Sequence, residues 1–274
     1  MAITKKAVER HSNIKVVSGL KTGADLWEDA PTEFDTRVSL LSAWGDTGTG
    51  RSTLALTAPG PIAYLHAAEK IKGIVEPFAR EKKIKLHGFA GVFTGSPQEI
   101  SDQASAVWNK FKRMYYDAYS WARTIVIDTD TELWELLRLV YFGALKPESG
   151  RIDANWGPPN AEWRSLFKSF RAQDRTNLIV LGQAKDEYKV KKNANTGKDG
   201  MGERTGRLLR AGQKEVPYFS DVMLEMTKED GTFMATVRKG WFRAEVEGDV
   251  FVDRDINFAG IMAAITETKS KEWR

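Results

Sequence analysis

The residues best suited to chemistry lie between Trp44 and Thr53, where the sequence reads WGDTGTGRST. Gly45, Gly50 and Ser52 match the spacing of a phosphate-binding loop: glycine, four residues, glycine, lysine, then Ser or Thr. Glycines let a backbone fold closely around an anion, so that its N–H groups point inward. The segment is therefore predicted to bind a polyphosphate, and a simple glycine-rich turn is the alternative. The predicted ligands are Gly45, Asp46, Thr47, Gly48, Thr49, Gly50, Arg51, Ser52 and Thr53.

Arg51 departs from this motif because it stands where the pattern requires lysine. Its guanidinium is planar and larger than the compact ammonium of lysine. A guanidinium still neutralises phosphate, even through two parallel hydrogen bonds. The substitution is therefore compatible with nucleotide binding, but it leaves open whether the bound nucleotide is hydrolysed.

Two residues are candidates for holding a magnesium ion, which prefers oxygen ligands. The hydroxyl of Ser52 opens a predicted helix whose positive end faces the phosphates. Asp128 closes the apolar strand TIVIDT, and open α/β sheets bind their ligands at this carboxyl edge. Ser52 and Asp128 are therefore the predicted metal ligands. Capping of the helix that begins at Thr131 is the alternative role for Asp128.

Three other residues are candidates for catalysis, each with an equal structural alternative. Glu69 follows the strand IAYLHA and would orient the attacking water, or it is an exposed acid at a helix start. Gln183 ends the strand NLIVLGQ and would sense the outermost phosphate, or it is an ordinary polar strand end. Lys239, after Arg238 at a hairpin end, would reach a neighbouring subunit's phosphates, or it protects a sheet edge.

The segment from Lys189 to Lys214 is strongly basic, with a local charge of +6, and contains five glycines. It is predicted to be a mobile loop that follows a nucleic-acid backbone. A solvated linker is the alternative, and the absence of aromatic residues gives no indication of base stacking within the loop. The predicted contacts are Lys189, Lys191, Lys192, Lys198, Arg204, Arg207, Arg210 and Lys214.

Apolar periodicity and Gly/Pro punctuation predict the elements that position these residues. The predicted strands are 37–44, 62–67, 92–95, 124–129 and 177–183, and the predicted helices are 52–58, 98–122, 131–145, 160–173 and 258–266. A hairpin at 221–239 and an edge strand at 249–253 follow. Apolar strands that alternate with helices indicate a mainly parallel sheet covered on both faces, extended at one edge by the hairpin.

The composition excludes several other classes of protein. The chain of 274 residues has no cysteine and only three scattered histidines, so neither a disulfide framework nor a thiolate metal site is predicted. No apolar run reaches membrane-spanning length and no signal peptide is seen, so a cytoplasmic protein without a membrane partner is expected. Residues 1–30 are predicted to be a tail or flap, and 31–274 a single core that includes the loop 189–214.

In this order, the motifs GDTGTGRS, TIVIDT and LIVLGQAKDEY resemble the RecA-like P-loop ATPase core, most closely that of phage-encoded proteins of the single-strand annealing and recombination group. The resemblance covers about residues 37–252. It implies ATP at Gly45–Thr53, Mg²⁺ at Asp128, single-stranded DNA at Lys189–Lys214, and an oligomer in which Lys239 reaches across the subunit interface. Arg51 departs from the family pattern, and Glu69 lies further beyond its strand than the family's catalytic glutamate.

The predicted function is that of a magnesium-dependent ATPase that binds single-stranded DNA and promotes annealing or recombination in the cytoplasm of a phage host. Expected partners are further copies of the chain, in a ring or filament, and a single-stranded-DNA-binding protein. A scaffold that binds nucleotide and DNA without hydrolysis is one alternative. A P-loop DNA motor of the helicase kind is the other.

Overall fold

A mainly parallel β-sheet forms the centre of the computed structural model, which describes residues 39–67, 71–145, 155–173, 175–189 and 202–273. The strands are β1 (Leu40–Gly45), β2 (Ile62–His66), β3 (Ile84–Gly88), β4 (Thr124–Asp128), β5 (Asn177–Lys189), β6 (Glu203–Arg210), β7 (Val222–Glu229), β8 (Thr232–Gly240) and β9 (Val250–Val252). The α-helices are α1 (Arg51–Leu56), α2 (Ile71–Ala79), α3 (Pro97–Ala118), α4 (Asp130–Phe142), α5 (Gly157–Arg171), α6 (Val216–Phe219) and α7 (Phe258–Thr266).

The strand order places the chemically interesting strand ends side by side. The order is β3-β2-β4-β5-β1-β7-β8-β9, and β6 pairs with β5 outside this series. The first six strands of this series run parallel, whereas β6, β8 and β9 pair antiparallel to their neighbours. β1 leads into the glycine loop, and β5 separates it from β4, which ends in Asp128. The chain therefore has the predicted RecA-like P-loop architecture, with an antiparallel extension near its C-terminus.

Two apolar cores, one on each face of the sheet, explain why the central strands read as continuous apolar runs. In β4, Ile125 and Ile127 pack in the core formed with α3, α4 and α5. Val126 points the other way, into the core formed with α1, α2 and α7. Because successive side chains alternate between faces, a strand covered on both sides needs an apolar residue at every position.

The start of α3 is capped by Ser96. The hydroxyl of Ser96 accepts a hydrogen bond from the Glu99 backbone N–H, and the Glu99 carboxylate accepts one from the Ser96 N–H at 2.7 Å. This reciprocal pair satisfies two backbone donors that the first turn of a helix would otherwise leave free. Pro97 occupies the first turn, where its missing N–H costs nothing.

Three predicted elements differ from the structure. Residues 92–95 are not a strand. The outermost parallel strand is instead β3, none of whose residues is fully buried, as suits the edge of a sheet. Helix α2, which contains Gly73 and Pro77, was also not predicted from sequence. β5 runs to Lys189 rather than to Gln183, because its second half pairs antiparallel with β6. The C-terminal half of the predicted basic loop is therefore a strand, not a loop.

Other predictions fall outside the described residues or concern the whole chain. The tail predicted at residues 1–30 lies outside the described ranges, and Thr36–Arg274 form one unit. Within the described ranges, no helix combines the length and the apolar character that crossing a bilayer would require.

Asp221, just before β7, fixes the start of the strand that leads to the glycine loop. Its Oδ2 accepts a hydrogen bond from the Leu40 N–H at 2.8 Å and one from the Arg171 guanidinium at 3.0 Å. Its Oδ1 accepts a second from Arg171 at 2.6 Å. One carboxylate thus joins the beginnings of β1 and β7 to the end of α5.

We expect Asp221→Asn to lower the free energy of unfolding by about 2 kcal/mol, because the charged, largely buried acceptor of three hydrogen bonds is lost. Urea denaturation measures the change. The control is Glu76→Gln, which removes the exposed Arg80–Glu76 pair and should change the same quantity by less than about 0.5 kcal/mol. Equal effects of the two variants would contradict the assigned role of Asp221.

Candidate nucleotide-binding site

The loop between β1 and α1 has the conformation that its glycines allow. Gly48 and Gly50 have φ angles of 82° and 87°, in the left-handed region that favours glycine. At Gly45, a Cβ would lie 2.1 Å from the Met226 carbonyl oxygen, so β1 and β7 approach too closely for any side chain. Thr49 is buried, and its hydroxyl donates to the Asp46 carbonyl at 2.8 Å. The loop is therefore a tight turn immediately before a helix, as phosphate binding requires.

The rest of the loop is arranged around this turn. Asp46, Thr47 and Gly48 are exposed at its tip. Thr53, one residue into α1 beyond Ser52, is also exposed.

The carboxylate of Asp128 is held between two hydroxyl groups. The Ser52 hydroxyl donates to Oδ2 of Asp128 at 2.8 Å, and the Tyr64 hydroxyl donates to the same oxygen at 2.6 Å. Burial, together with the neighbouring carboxylate, raises the pKa of Tyr64 well above its ordinary value, so this phenol remains a donor. The two predicted metal ligands are thus in contact, and their oxygen donors suit a magnesium ion.

Tyr64 was not predicted from sequence. It lies in the middle of β2, and its letter in the run IAYLH gives no sign that its hydroxyl reaches Asp128. Among the described residues, no cluster of three acidic or histidine side chains could hold a metal ion. A magnesium ion held here would therefore take most of its ligands from phosphate and water, as this ion commonly does.

Arg51 turns toward β5. Its guanidinium donates to the carbonyl oxygen of Gly182, which lies near the end of the part of β5 that pairs with β1. Burial lowers the pKa of Arg51, and attraction to Asp128 and Asp46 opposes this shift. The side chain therefore ties the start of α1 to the neighbouring strand, in place of the extended pose expected of a residue that reaches the outermost phosphate.

Glu132, in the first turn of α4, is a second residue that sequence reasoning missed. Its Oε1 accepts a hydrogen bond from the Gln183 amide at 3.4 Å, while the Gln183 backbone N–H donates to the Thr131 hydroxyl at 3.2 Å. Burial raises the pKa of Glu132, and the nearby charge of Asp128 adds to the shift. The only available signal was its position four residues after Asp128. Glu69, the predicted base, lies outside the described residues.

A buried ion pair joins β6 to the beginning of α4. The Arg210 guanidinium donates to the carboxylate of Asp130, and the two side chains are 8% and 0% exposed. Burial raises the pKa of Asp130, and the positive charge of Arg210 opposes this. Arg210 also donates to the Ala211 carbonyl oxygen at 3.0 Å and to that of Gln213 at 3.3 Å. This corrects the expectation that Arg210 is available to a nucleic acid.

The other basic residues divide between the surface and the undescribed segment. Lys189, Arg204, Arg207 and Lys214 are exposed, and Arg204 pairs with Asp186 across the β5–β6 hairpin. The remaining three predicted contacts, Lys191, Lys192 and Lys198, lie outside the described residues.

Lys239 lies at the opposite, amino-terminal end of the sheet from the glycine loop. In the β7–β8 register it faces Met223, near the start of β7. Its ammonium donates to the carbonyl oxygens of Pro217 at 2.8 Å and Ser220 at 2.6 Å, and burial lowers its pKa. These bonds fix the lysine to α6 within its own chain, so the geometry does not support a role at a neighbouring nucleotide.

A mainly apolar cleft of about 260 Å³ opens beside the glycine loop. Gly50 and Thr53 form one side, and Phe233 and Arg254 belong to the other. The Lys228 ammonium lies 4.6 Å from the centre of the Phe233 ring. An aromatic ring and a guanidinium beside a phosphate-binding loop are suited to a nucleobase and ribose.

We expect Gly45→Ala to abolish nucleotide binding and to lower the free energy of unfolding by at least about 2 kcal/mol, because its methyl group would overlap the Met226 carbonyl. Chemical denaturation and calorimetry with ATP measure the two effects. Gly73→Ala is the matched control: it lies within α2 with open space around it, and should stabilise the protein by about 0.5–1 kcal/mol. A stable, nucleotide-binding Gly45→Ala variant would contradict the close approach of β1 and β7.

No family model matches the chain, and no curated protein matches its sequence. Among solved structures, the RadB recombinase is 13% identical over 78% of this chain and 86% of its own, with a TM-score of 0.43. A prototypical ATPase from the type III secretion system of pathogenic bacteria is 13% identical over 69% of this chain and 51% of its own, with a TM-score of 0.35. The genome packaging NTPase B204 from Sulfolobus turreted icosahedral virus 2, in complex with ATP-gammaS, is 7% identical over 80% of this chain and 98% of its own, with a TM-score of 0.33. The strand order and the loop geometry of this chain, rather than these distant similarities, agree with the RecA-like fold that the sequence predicts.

Proposed function

We propose that the protein is a magnesium-dependent ATPase that binds single-stranded DNA. The observation that carries this proposal is the contact between Ser52 and Asp128, 2.8 Å apart, directly after a glycine loop in left-handed turns. A hydroxyl and a carboxylate at this place supply the two protein ligands that a nucleotide-bound magnesium ion needs. A purely structural turn would not need the Ser52–Asp128 contact, and a helix cap would not need the glycine loop.

Within this proposal, the loop and its surroundings divide the nucleotide between them. The backbone of Gly45–Thr53 encloses the phosphates, and Ser52 and Asp128 hold the metal ion, which would neutralise charge on the phosphate oxygens. The cleft at Phe233 and Arg254 takes the base and ribose. Tyr64 fixes the Asp128 carboxylate through its own hydrogen bond, so that this ligand is oriented before nucleotide arrives.

We assign the orientation of the attacking water to Glu132 together with Gln183. The Glu132 carboxylate lies beside Gln183 in the middle of β5, and its charge interacts with Asp128 and Arg51. Burial favours proton acceptance by this carboxylate, which a general base needs. Gln183 holds the carboxylate by one hydrogen bond and would sense whether the outermost phosphate is present.

The DNA-binding part of the proposal concerns the β5–β6 hairpin. Its exposed cations Lys189, Arg204 and Arg207 are suited to the phosphate backbone of a nucleic acid. β5 connects this hairpin to Gln183, and the Arg210–Asp130 pair connects it to α4. A change at the nucleotide therefore has a direct physical route to the hairpin. The wider proposal is annealing or recombination by an oligomer in a host cytoplasm, with a single-stranded-DNA-binding protein as a further partner.

A second candidate function is a scaffold that binds nucleotide and DNA without hydrolysis. The observation that favours it is the hydrogen bond from Arg51 to the Gly182 carbonyl oxygen, which draws the only cation of the loop away from the outermost phosphate. In that case Arg51→Lys should create or raise turnover, because the compact ammonium is free to reach that phosphate.

The first test is the magnesium dependence of ATP binding. Wild-type protein should bind ATP more tightly with Mg²⁺ than without it, and Asp128→Asn should remove most of that difference because the ion loses its charged ligand. Isothermal titration calorimetry measures both affinities. Asp102→Asn, on the exposed face of α3, is the control and should behave as wild type. No heat of association at millimolar ATP with wild-type protein would refute the proposed site.

The second test separates hydrolysis from binding. Glu132→Gln should lower the rate of phosphate release with single-stranded DNA by about 100-fold or more, because a general base is lost, while ATP affinity is retained. The control is Glu135→Gln, about one helical turn later in α4, which should retain the wild-type rate within about twofold. Equal rates in the two variants would exclude Glu132 as the base, and no turnover in wild type would favour the scaffold.

A further inference from the structure

A second cleft, of about 470 Å³, lies between β6 and the β7–β8 hairpin. It borders the candidate nucleotide site, because Trp44, the residue directly before Gly45, lines it. Its polar and aromatic lining comes from three separate parts of the chain: Trp44, Gly206, Arg207, Arg210, Glu225 and Arg238. Gly206 has a φ of 79° and no atom within 4 Å of the position of a Cβ, which leaves that part of the wall open.

The charges in this cleft favour an anion. The charge of Arg210 is neutralised by Asp130 beneath the cleft. The guanidinium of Arg238 donates to Glu225 at 2.6 Å, and the two side chains are 52% and 13% exposed. Within the described ranges, Arg207 is exposed and has no carboxylate partner. Two exposed cations therefore face the same opening: Arg238, which is paired with Glu225, and Arg207, which has no carboxylate partner in the described part of the chain.

Trp44 supplies an independent sign that the cleft is incomplete. The residue is only 6% exposed, and its indole N–H is buried without a hydrogen-bond acceptor in the described part of the chain. A buried donor without a partner is costly, and such groups commonly mark ligand sites. Trp44 lies opposite Glu225 in the β1–β7 register. An anionic oxygen in the cleft would supply the missing acceptor on this side.

The neighbouring hairpin indicates which anion the cleft takes. Tyr188 is 59% exposed and lies opposite Arg204 in the β5–β6 register. An exposed aromatic ring beside cations is suited to an unstacked base next to its phosphate, which is how single strands are bound. A free nucleotide would use the cleft alone, whereas a polynucleotide would use the cleft and the hairpin together.

We infer that the cleft between β6 and the β7–β8 hairpin binds a backbone phosphate of single-stranded DNA through Arg207 and Arg238. The phosphate displaces Glu225 from Arg238, so the Glu225–Arg238 pair is a closed form of the empty site. This inference rests on the proposed function, since it names additional contacts for the same nucleic acid. It extends the DNA surface from the β5–β6 hairpin to β8.

The test uses two variants that break the same ion pair. Arg238→Gln should weaken binding of a mixed-sequence single-stranded oligonucleotide about tenfold, and the slope of log affinity against log salt should fall by about 0.7. Glu225→Gln should strengthen binding several-fold, because Arg238 is released from its competitor. A purely structural pair would give both variants the same sign. Fluorescence anisotropy of a labelled oligonucleotide over several salt concentrations measures the effects.

The matched control is the Arg164–Glu215 pair, which has similar exposure and lies outside the cleft. Arg164→Gln and Glu215→Gln should both bind DNA as wild type does. If they change DNA affinity as much as Arg238→Gln and Glu225→Gln do, the effect comes from the net charge of the protein and the cleft assignment is wrong. Arg207→Gln breaks no ion pair within the described ranges and should weaken binding as Arg238→Gln does, which protects the test against a misfolded Arg238 variant. Thermal unfolding of each variant confirms that it is folded.

The outcomes separate this inference from the proposed function. If wild-type protein binds the oligonucleotide but the Glu225 and Arg238 variants do so equally well, the cleft assignment is wrong and the DNA-binding proposal stands. If Arg238→Gln weakens binding of ATP instead of DNA, the cleft belongs to a nucleotide and the inference is overturned. If wild-type protein binds no oligonucleotide, the DNA-binding proposal itself fails.

Discussion

The carboxylate of Asp128 is the point on which the candidate site depends. Its Oδ2 accepts hydrogen bonds from Ser52 of α1 and Tyr64 of β2, so one oxygen joins β4 to two elements that lie more than 60 residues earlier in the chain. The contact is possible only because β5 lies between β1 and β4 and brings α1 over the end of β4. A carboxylate oriented by two neutral hydroxyl groups keeps its negative charge directed at the space where a cation would be held.

A second constraint links this site to the β5–β6 hairpin. β5 continues beyond Gln183, where its pairing with β1 ends, and β6 pairs antiparallel with this second half. Arg210, at the end of β6, places its guanidinium beside Asp130. Asp130 is two residues from Asp128, so the hairpin cannot move far without disturbing the start of α4. Buried ion pairs are rarely strong sources of stability. This one is better understood as fixing the position of the hairpin relative to the nucleotide site.

Arg51 is the residue at which the loop departs from the phosphate-binding pattern. Its guanidinium contacts the Gly182 carbonyl oxygen, and its charge is shared among the carboxylates of Asp46, Asp128 and Asp130. The same cation is therefore part of the support that joins α1 to β5. The residue that departs from the motif thus has a structural role besides any contact with phosphate.

The amino-acid sequence by itself determined the glycine loop, the apolar strand that ends in Asp128, the apolar first half of β5 and the cap of α3, because each depends on neighbouring residues and local periodicity. Tertiary structure alone decided that Tyr64 reaches Asp128, that Glu132 meets Gln183, and that Arg210 is buried. Each of these contacts joins residues more than 50 positions apart. Strand order sets such contacts, and no local pattern encodes it. The same reason explains why a segment rich in charge and glycine reads as a loop from sequence: its second half is a strand only because β5 extends to pair with it.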